Sequence, residues 1–237
     1  MIKKIDILGI QLDNYTVREA IRQVESYLDN SMLNSIECVS MQMLIDSEDD
    51  PILREVMEGL SLAIIGEKEI LKAAGIGTMQ RVKETEENDF SYEFFKRLER
   101  NKKSVFLLGQ TEEKIEKTKG MLRSEFPKMV FAGEYAVEKC AGDLDTVIND
   151  MNATAPNVIV SLLPSPMQEH FFWQHRDKMC AGIWYGIGEL GIMSKRHGTR
   201  DFLRSLLHLG RLKSSMEKYR SRSQAGEAMA ERMKGNS

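Results

Sequence analysis

Short apolar runs alternate with helical patterns through the first 190 residues, and this alternation restricts the fold more than any other feature. Ile5-Asp6-Ile7-Leu8-Gly9-Ile10 reads as a strand, and Thr16-Val17-Arg18-Glu19 then matches a capping box that opens a helix to about Asn30. Further strands are expected at Ile36 to Ser40, Leu60 to Gly66, Ser104 to Gly109, Met129 to Ala132, Val158 to Leu163 and Gly182 to Tyr185. Helices are expected over 90–101, 143–153 and 167–179, and another opens at Gln110-Thr111 with Glu112 and Glu113 in its first turn. Gly75 to Asn88, rich in glycine and charge, reads as a mobile loop. Strands separated by helices predict an α/β domain with a largely parallel sheet. Ligands of such sheets bind beyond the carboxyl ends of the strands, here after Ser40, Ile65, Leu108, Leu163 and Tyr185.

Composition narrows the function classes. The chain of 237 residues is 42% hydrophobic and 29% charged, which is globular rather than disordered. A formal charge of −3 argues against a surface built to grip nucleic acid. Cys38, Cys140 and Cys180 are too few and too scattered for a disulfide framework or a zinc knuckle, so a reducing cytoplasm fits best. Acidic and polar residues interrupt the opening Met1 to Asp6, so no signal peptide is expected, and no apolar run reaches membrane-spanning length. The near-neutral total hides an asymmetry. From Arg200 to Ser237 there are nine basic and four acidic side chains, a net +5, which leaves −8 for residues 1–199.

Chemistry has several candidate seats. Gly109-Gln110-Thr111 follows a strand and opens a helix, so backbone N–H groups there suit a phosphate, as they suit an ordinary turn. Gly186-Ile187-Gly188 permits close approach of a diphosphate or tight packing. Leu163-Pro164-Ser165-Pro166-Met167-Gln168-Glu169 sets an amide and a carboxylate at a strand's carboxyl end. That pair suits sugar hydroxyls or a nucleobase edge, and an acid also suits any helix start. Metal ligation is not expected: His170 and His175 are five apart and do not share a helix face, and His197 and His208 lie among basic residues. Cys38 inside a strand pattern reads as a core residue. In the tail, Phe202, Leu203, Leu206, Leu207 and Leu209 recur at helical spacing beside Arg200, Arg204, Arg211 and Lys213, with Met216 and Tyr219 extending the stripe.

Seven motifs in order give the chain a resemblance to the WecG/TagA/CpsF glycosyltransferase family over nearly its full length. They are Ile5 to Asn14 with Thr16, Ser40-Met41-Gln42, Ile65-Gly66, Arg81-Val82, Val105 to Gly109, Pro166-Met167-Gln168-Glu169, and Gly186-Ile187-Gly188. The resemblance implies a Rossmann-like α/β domain over 1–198 and a helical appendage over 199–237. It implies transfer of an N-acetylmannosamine-type sugar from a UDP-sugar to a lipid-linked sugar diphosphate, for teichoic acids, common antigens or capsules, with no metal or cofactor. The protein would act in the cytoplasm, peripherally at the inner face of the cell membrane, with nucleic acid no partner and a homo-oligomer compatible. Arg200, Phe202, Leu203, Arg204, Leu206, Leu207, Arg211 and Lys213 would dock the tail on an anionic bilayer, where packing of the same stripe on the chain's own core or on another subunit is the alternative use.

Departures from the family pattern gather at the expected site. The family's catalytic Asp of Asp-Gly is replaced by Ile65, which cannot accept a proton; Glu67 is two residues away. Thr-x-Asn reads Ser40-x-Gln42, Gly191-Ile192 stands where an Asp follows Gly-Val-Gly (Glu189 is the nearest acid), and Arg-Ala-Pro reads Arg196-His197-Gly198. The expectation is that Ser40 and Glu67 take the catalytic roles. Gln42, Gly66, Arg81, Gln168 and Glu169 would hold the UDP-sugar, with Gly109, Gly186 and Gly188 near its phosphates. The alternative is a catalytically impaired relative that binds a nucleotide-sugar or a partner transferase as regulator or scaffold.

Overall fold

The computed structural model describes residues 4–140, 142, 144–188 and 208–224. Among these residues the strands are β1 (Lys4–Ile7), β2 (Ile10–Asp13), β3 (Asn34–Val39), β4 (Leu62–Ile65), β5 (Ser104–Gly109), β6 (Val130–Ala136), β7 (Val158–Ser161) and β8 (Ile183–Gly186). They form one sheet in the order β1-β2-β4-β3-β8-β7-β5-β6, parallel except for the β1–β2 pair. The helices are α1 (Val17–Asp29), α2 (Met41–Asp46), α3 (Pro51–Glu58), α4 (Lys68–Ala73), α5 (Met79–Glu86), α6 (Asp89–Arg100), α7 (Glu112–Glu125), α8 (Asp145–Ala153) and α9 (Met167–His175). Residues 208–224 form a tenth, α10.

A single hand of strand-to-strand crossover organises both faces. Connections running toward the β6 edge pack α1, α6 and α7 on one face, where Val24, Phe94 and Leu122 are buried. Those returning toward the β1 edge pack α2, α3, α8 and α9 on the other, burying Leu44, Val56, Met151 and Phe171. Opposite directions on opposite faces are what right-handed crossovers require. The central strands therefore bury alternate side chains into two separate cores. In β8, Trp184 meets Phe171 and Phe172 at centroid distances of 6.0 and 5.3 Å on one side. Its neighbour Tyr185 meets Phe90 and Phe94 at 5.8 and 4.5 Å on the other.

The capping box forms as read: Thr16 Oγ1 accepts from the Glu19 N–H at 3.3 Å, and Glu19 Oε2 accepts from the Thr16 N–H at 2.9 Å. Three readings need correction. The run from Ile5 to Ile10 is not one strand but a hairpin, turning at Leu8 (φ 58°) and Gly9 (φ 86°), with the Gly9 N–H donating to Asp6 Oδ1 at 3.0 Å. Positive φ at both turn positions matches the twist of the paired strands, and only the glycine advertises it. The stretch from Gly75 to Asn88 is not a loop throughout, because Thr78 Oγ1 caps α5 by accepting from the Arg81 N–H at 3.3 Å. The helix expected to reach 179 ends at His175 and continues as a single tight turn over Arg176–Lys178.

Part of the tail is described, and there its apolar stripe is used internally. Leu212 and Met216 are buried in the same core as α3 and α9, with Leu209 and Tyr219 packed against it. Arg211 and Lys213 are exposed on the outer side of α10. Arg200, Phe202, Leu203, Arg204, Leu206 and Leu207 lie outside the described residues. If α10 is an integral layer, Leu212→Ala lowers the stability of the whole domain by about 2–5 kcal/mol. A thermal melt with an unchanged midpoint would show that α10 is dispensable to the core.

Candidate functional site

The carboxyl ends of β3, β4, β5, β7 and β8 open on one end of the sheet. Connections leave β5 and β7 toward opposite faces, through α7 and α9, so a crevice is expected where they part. A hollow of about 460 Å³ near Leu33, Asn157 and Cys180 is at the opposite end, where β3, β7 and β8 begin, and plays no part in this site.

At the mouth of β3, Ser40 is the N-cap of α2, its hydroxyl accepting from the Met43 N–H at 3.2 Å. The next backbone N–H, of Met41, donates to Glu67 Oε2 at 2.9 Å. Glu67 comes from the turn after β4, which the Gly66 N–H ties to Val39 O at 2.9 Å. Ser40 and Glu67 are thus brought to the same helix start. Gln42 lies on the first turn of α2, its amide donating to Asp46. Ile65, at the family's Asp position, is buried in the apolar core.

Arg81 is not presented to the crevice as a free cation. It is buried, and its guanidinium pairs with Glu84 at 2.9 Å while the same Glu84 oxygen accepts from the Val17 N–H at 3.3 Å. Helix α5 is thereby clasped to the start of α1. Gly109 also has a packing reason: a Cβ there would sit 2.5 Å from Ile115 Cγ1 in the first turn of α7. Gly188, with φ 56°, makes the turn after β8 in a left-handed conformation that glycine tolerates.

Gln168 and Glu169 do come to the strand ends, but they turn inward. A Cβ on Gly186 would lie 2.4 Å from Gln168 Nε2 and 2.9 Å from Glu37 Cγ, so the glycine makes room for two polar side chains over β8. Gln168 Nε2 donates to Glu169 Oε1 at 3.2 Å. Glu37 and Glu169 are both 0% exposed. Burial, and then the charge of Glu169, push the Glu37 carboxyl well above its ordinary range, and burial raises that of Glu169 too. The sequence reading missed Glu37. Its signal was a carboxylate between Ile36 and Cys38 in a strand with apolar residues on both faces, where an acid needs a reason. Cys38 itself is a core residue as read, with its thiol 3.4 Å from the Tyr185 hydroxyl and pushed by burial up to about 11.

The contact with Ile115 gives glycine at 109 a packing requirement of its own. Gly109→Ala should cost about 1–3 kcal/mol, and Ile115→Ala in the same chain should recover part of that loss. Additive losses in the double-mutant cycle would contradict the contact.

Known proteins are similar to this chain in sequence. The Glycosyl transferase WecG/TagA/CpsF family matches residues 5–191. Proteins of Staphylococcus aureus strains NCTC 8325 and COL, each named N-acetylglucosaminyldiphosphoundecaprenol N-acetyl-beta-D-mannosaminyltransferase, are 22% identical over 193 residues, covering 78% of this chain and 73% of theirs. The protein of strain MRSA252 with the same name matches to the same extent. With the family match running from β1 past the end of β8, the chain belongs to the WecG/TagA/CpsF glycosyl transferase family and is by class a hexosyltransferase.

Proposed function

We propose that the protein transfers an N-acetylmannosamine-type sugar from a UDP-sugar to a polyprenyl-diphosphate-linked acceptor, in the synthesis of a cell-surface polysaccharide or teichoic acid. Support for the acceptor comes from the Staphylococcus aureus relatives, whose name specifies an N-acetylglucosaminyl-diphosphoundecaprenol substrate. The observation that carries the mechanism is the Glu67 carboxylate held at the start of α2, one residue from Ser40. In this reading the acceptor hydroxyl attacks the anomeric carbon and Glu67 takes its proton. The bond from that carbon to the diphosphate oxygen breaks, and the electron pair leaves with UDP. Ser40 and Gln42 orient the reacting hydroxyls. Gly188 allows backbone to approach the diphosphate, and Gln168 and Glu169, buried beneath the strand ends, support that side of the site.

Membrane association follows from the acceptor. No helix among the described residues is long and apolar enough to cross a bilayer, so the lipid-linked substrate would be met at the surface. The exposed Arg211 and Lys213 of α10 belong to a basic segment suited to anionic headgroups on the cytoplasmic side.

Two outcomes check this. With UDP-N-acetylmannosamine and a polyprenyl-linked N-acetylglucosamine diphosphate, the wild type should form product. Glu67→Gln should slow it by about 10²-fold or more, as loss of a general base does; an unchanged rate removes Glu67 from the mechanism. In flotation with anionic vesicles, Arg211→Glu with Lys213→Glu should release protein from lipid, each residue contributing about 1 kcal/mol. Equal flotation of both forms would exclude α10 from docking.

A further inference from the structure

Helix α2 is enclosed on nearly every side. Met41, Met43, Leu44 and Ile45 are buried in the apolar core, and Ser47, just after the helix, is buried as well. Gln42 and Asp46 are the partly accessible residues of α2, four apart and therefore on one stripe. Ser40, the residue before the helix, is partly accessible too. These three side chains are what the segment offers to a molecule lodged at the mouth of β3, beside Glu67. Two hydrogen bonds already engage them. Gln42 Nε2 donates to Asp46 Oδ1 at 2.5 Å, and Ser40 Oγ accepts from the Met43 N–H at 3.2 Å. Asp46 is otherwise poorly placed. An acid in the last turn of a helix faces the negative end of the backbone dipole, and Glu48, Asp49 and Asp50 follow within four residues. Its carboxylate needs a reason to be there, and the structure gives one in the Gln42 amide.

We infer that Asp46 is a positioning residue for Gln42 in the transfer reaction, holding the amide so that its carbonyl oxygen, not its nitrogen, meets a hydroxyl of the acceptor sugar. An amide has a donor end and an acceptor end, and which of them a substrate meets depends on what holds the other. A carboxylate accepts hydrogen bonds and does not donate them, so the end that faces Asp46 is the nitrogen. Gln42 Oε1 is then the atom left for a substrate, and it accepts an O–H but cannot give one. Ser40 is its complement: its oxygen accepts from the helix, and its O–H remains to be donated. Together they read a sugar in both senses, with one hydrogen bond received and one given. A sugar that sets an ether oxygen against Gln42, in place of a hydroxyl, meets acceptor with acceptor and is disfavoured. This role rests on the lipid-linked acceptor reading above, whereas the bond between Gln42 and Asp46 does not.

The test uses the whole chain and its variants Asp46→Asn, Asp46→Ala, Gln42→Ala and the double alanine variant. Asp46→Asn keeps a carbonyl oxygen for the amide, and Asp46→Ala removes it. With polyprenyl-linked N-acetylglucosamine diphosphate as acceptor, Asp46→Asn should stay within about threefold of the wild-type acceptor KM. Asp46→Ala should raise that KM about tenfold, the scale of one hydrogen bond, and leave the KM for UDP-N-acetylmannosamine unchanged. A purely structural role would move both KM values and the thermal midpoint together. In the Gln42→Ala background, Asp46→Ala should add nothing, because the residue it acts through is gone. A further readout needs no substrate. By nuclear magnetic resonance, the Gln42 side-chain N–H bonded to Asp46 should exchange with water about tenfold faster in Asp46→Ala than in the wild type.

Equal acceptor KM values for Asp46→Asn and Asp46→Ala, or a loss from Asp46→Ala that persists in the Gln42→Ala background, would overturn the positioning role. Equal amide exchange in the wild type and Asp46→Ala would overturn the bond itself. If the wild type does not turn over this substrate pair but the exchange rates differ, the acceptor reading fails, the transfer role falls with it, and the bond between Gln42 and Asp46 stands.

Discussion

Strand β8 is the piece the rest of the molecule is built around. It lies between β3 and β7 in the middle of the sheet, and its consecutive aromatic residues point to opposite faces. Trp184 is enclosed by α9 and Tyr185 by α6, so both helical layers are referenced to the same four residues. Aromatic side chains of this size supply large buried areas and edge or offset contacts with limited freedom to slide. The next residue is Gly186, where a side chain is forbidden by Gln168 and Glu37. Fold and site are therefore continuous: two residues fix the layers, and the third opens the space in which the polar cluster sits.

Much of the scaffold was legible because its signals are local. The Thr16 to Glu19 capping box and the apolar strand runs follow from hydrogen-bonding geometry and burial that a short segment expresses by itself. The β1–β2 hairpin was not legible, since Leu8 adopts a left-handed conformation that its side chain disfavours and that the surrounding strands impose. Helix α5 was obscured by Gly75 and Gly77 just before it, although Thr78 carries its cap.

The site was legible in place more than in purpose. Ser40, Glu67, Gln168, Gly186 and Gly188 gather at the strand ends because any parallel sheet delivers its carboxyl-end turns to one side. What each does there depends on partners distant in sequence. Gly109 answers to Ile115, Arg81 to Glu84 and the start of α1, and Gly186 to Gln168 and Glu37. Glu37 escaped notice because its companion, Glu169, is more than a hundred residues away in the chain.

The contact between the hairpin and α10 bears on synthesis. A Cβ at Gly9 would lie 3.0 Å from the Tyr219 hydroxyl, so the turn beginning β2 and the helix near the other end of the described chain are neighbours. During translation the part of the α3 and α9 face whose core takes in Leu212 and Met216 must wait, incompletely covered, until residues 208–224 have left the ribosome. Contacts this far apart in sequence form late and leave apolar surface open in the interval. Growing chains stalled before α10 would expose that face, making them the form most in need of a chaperone.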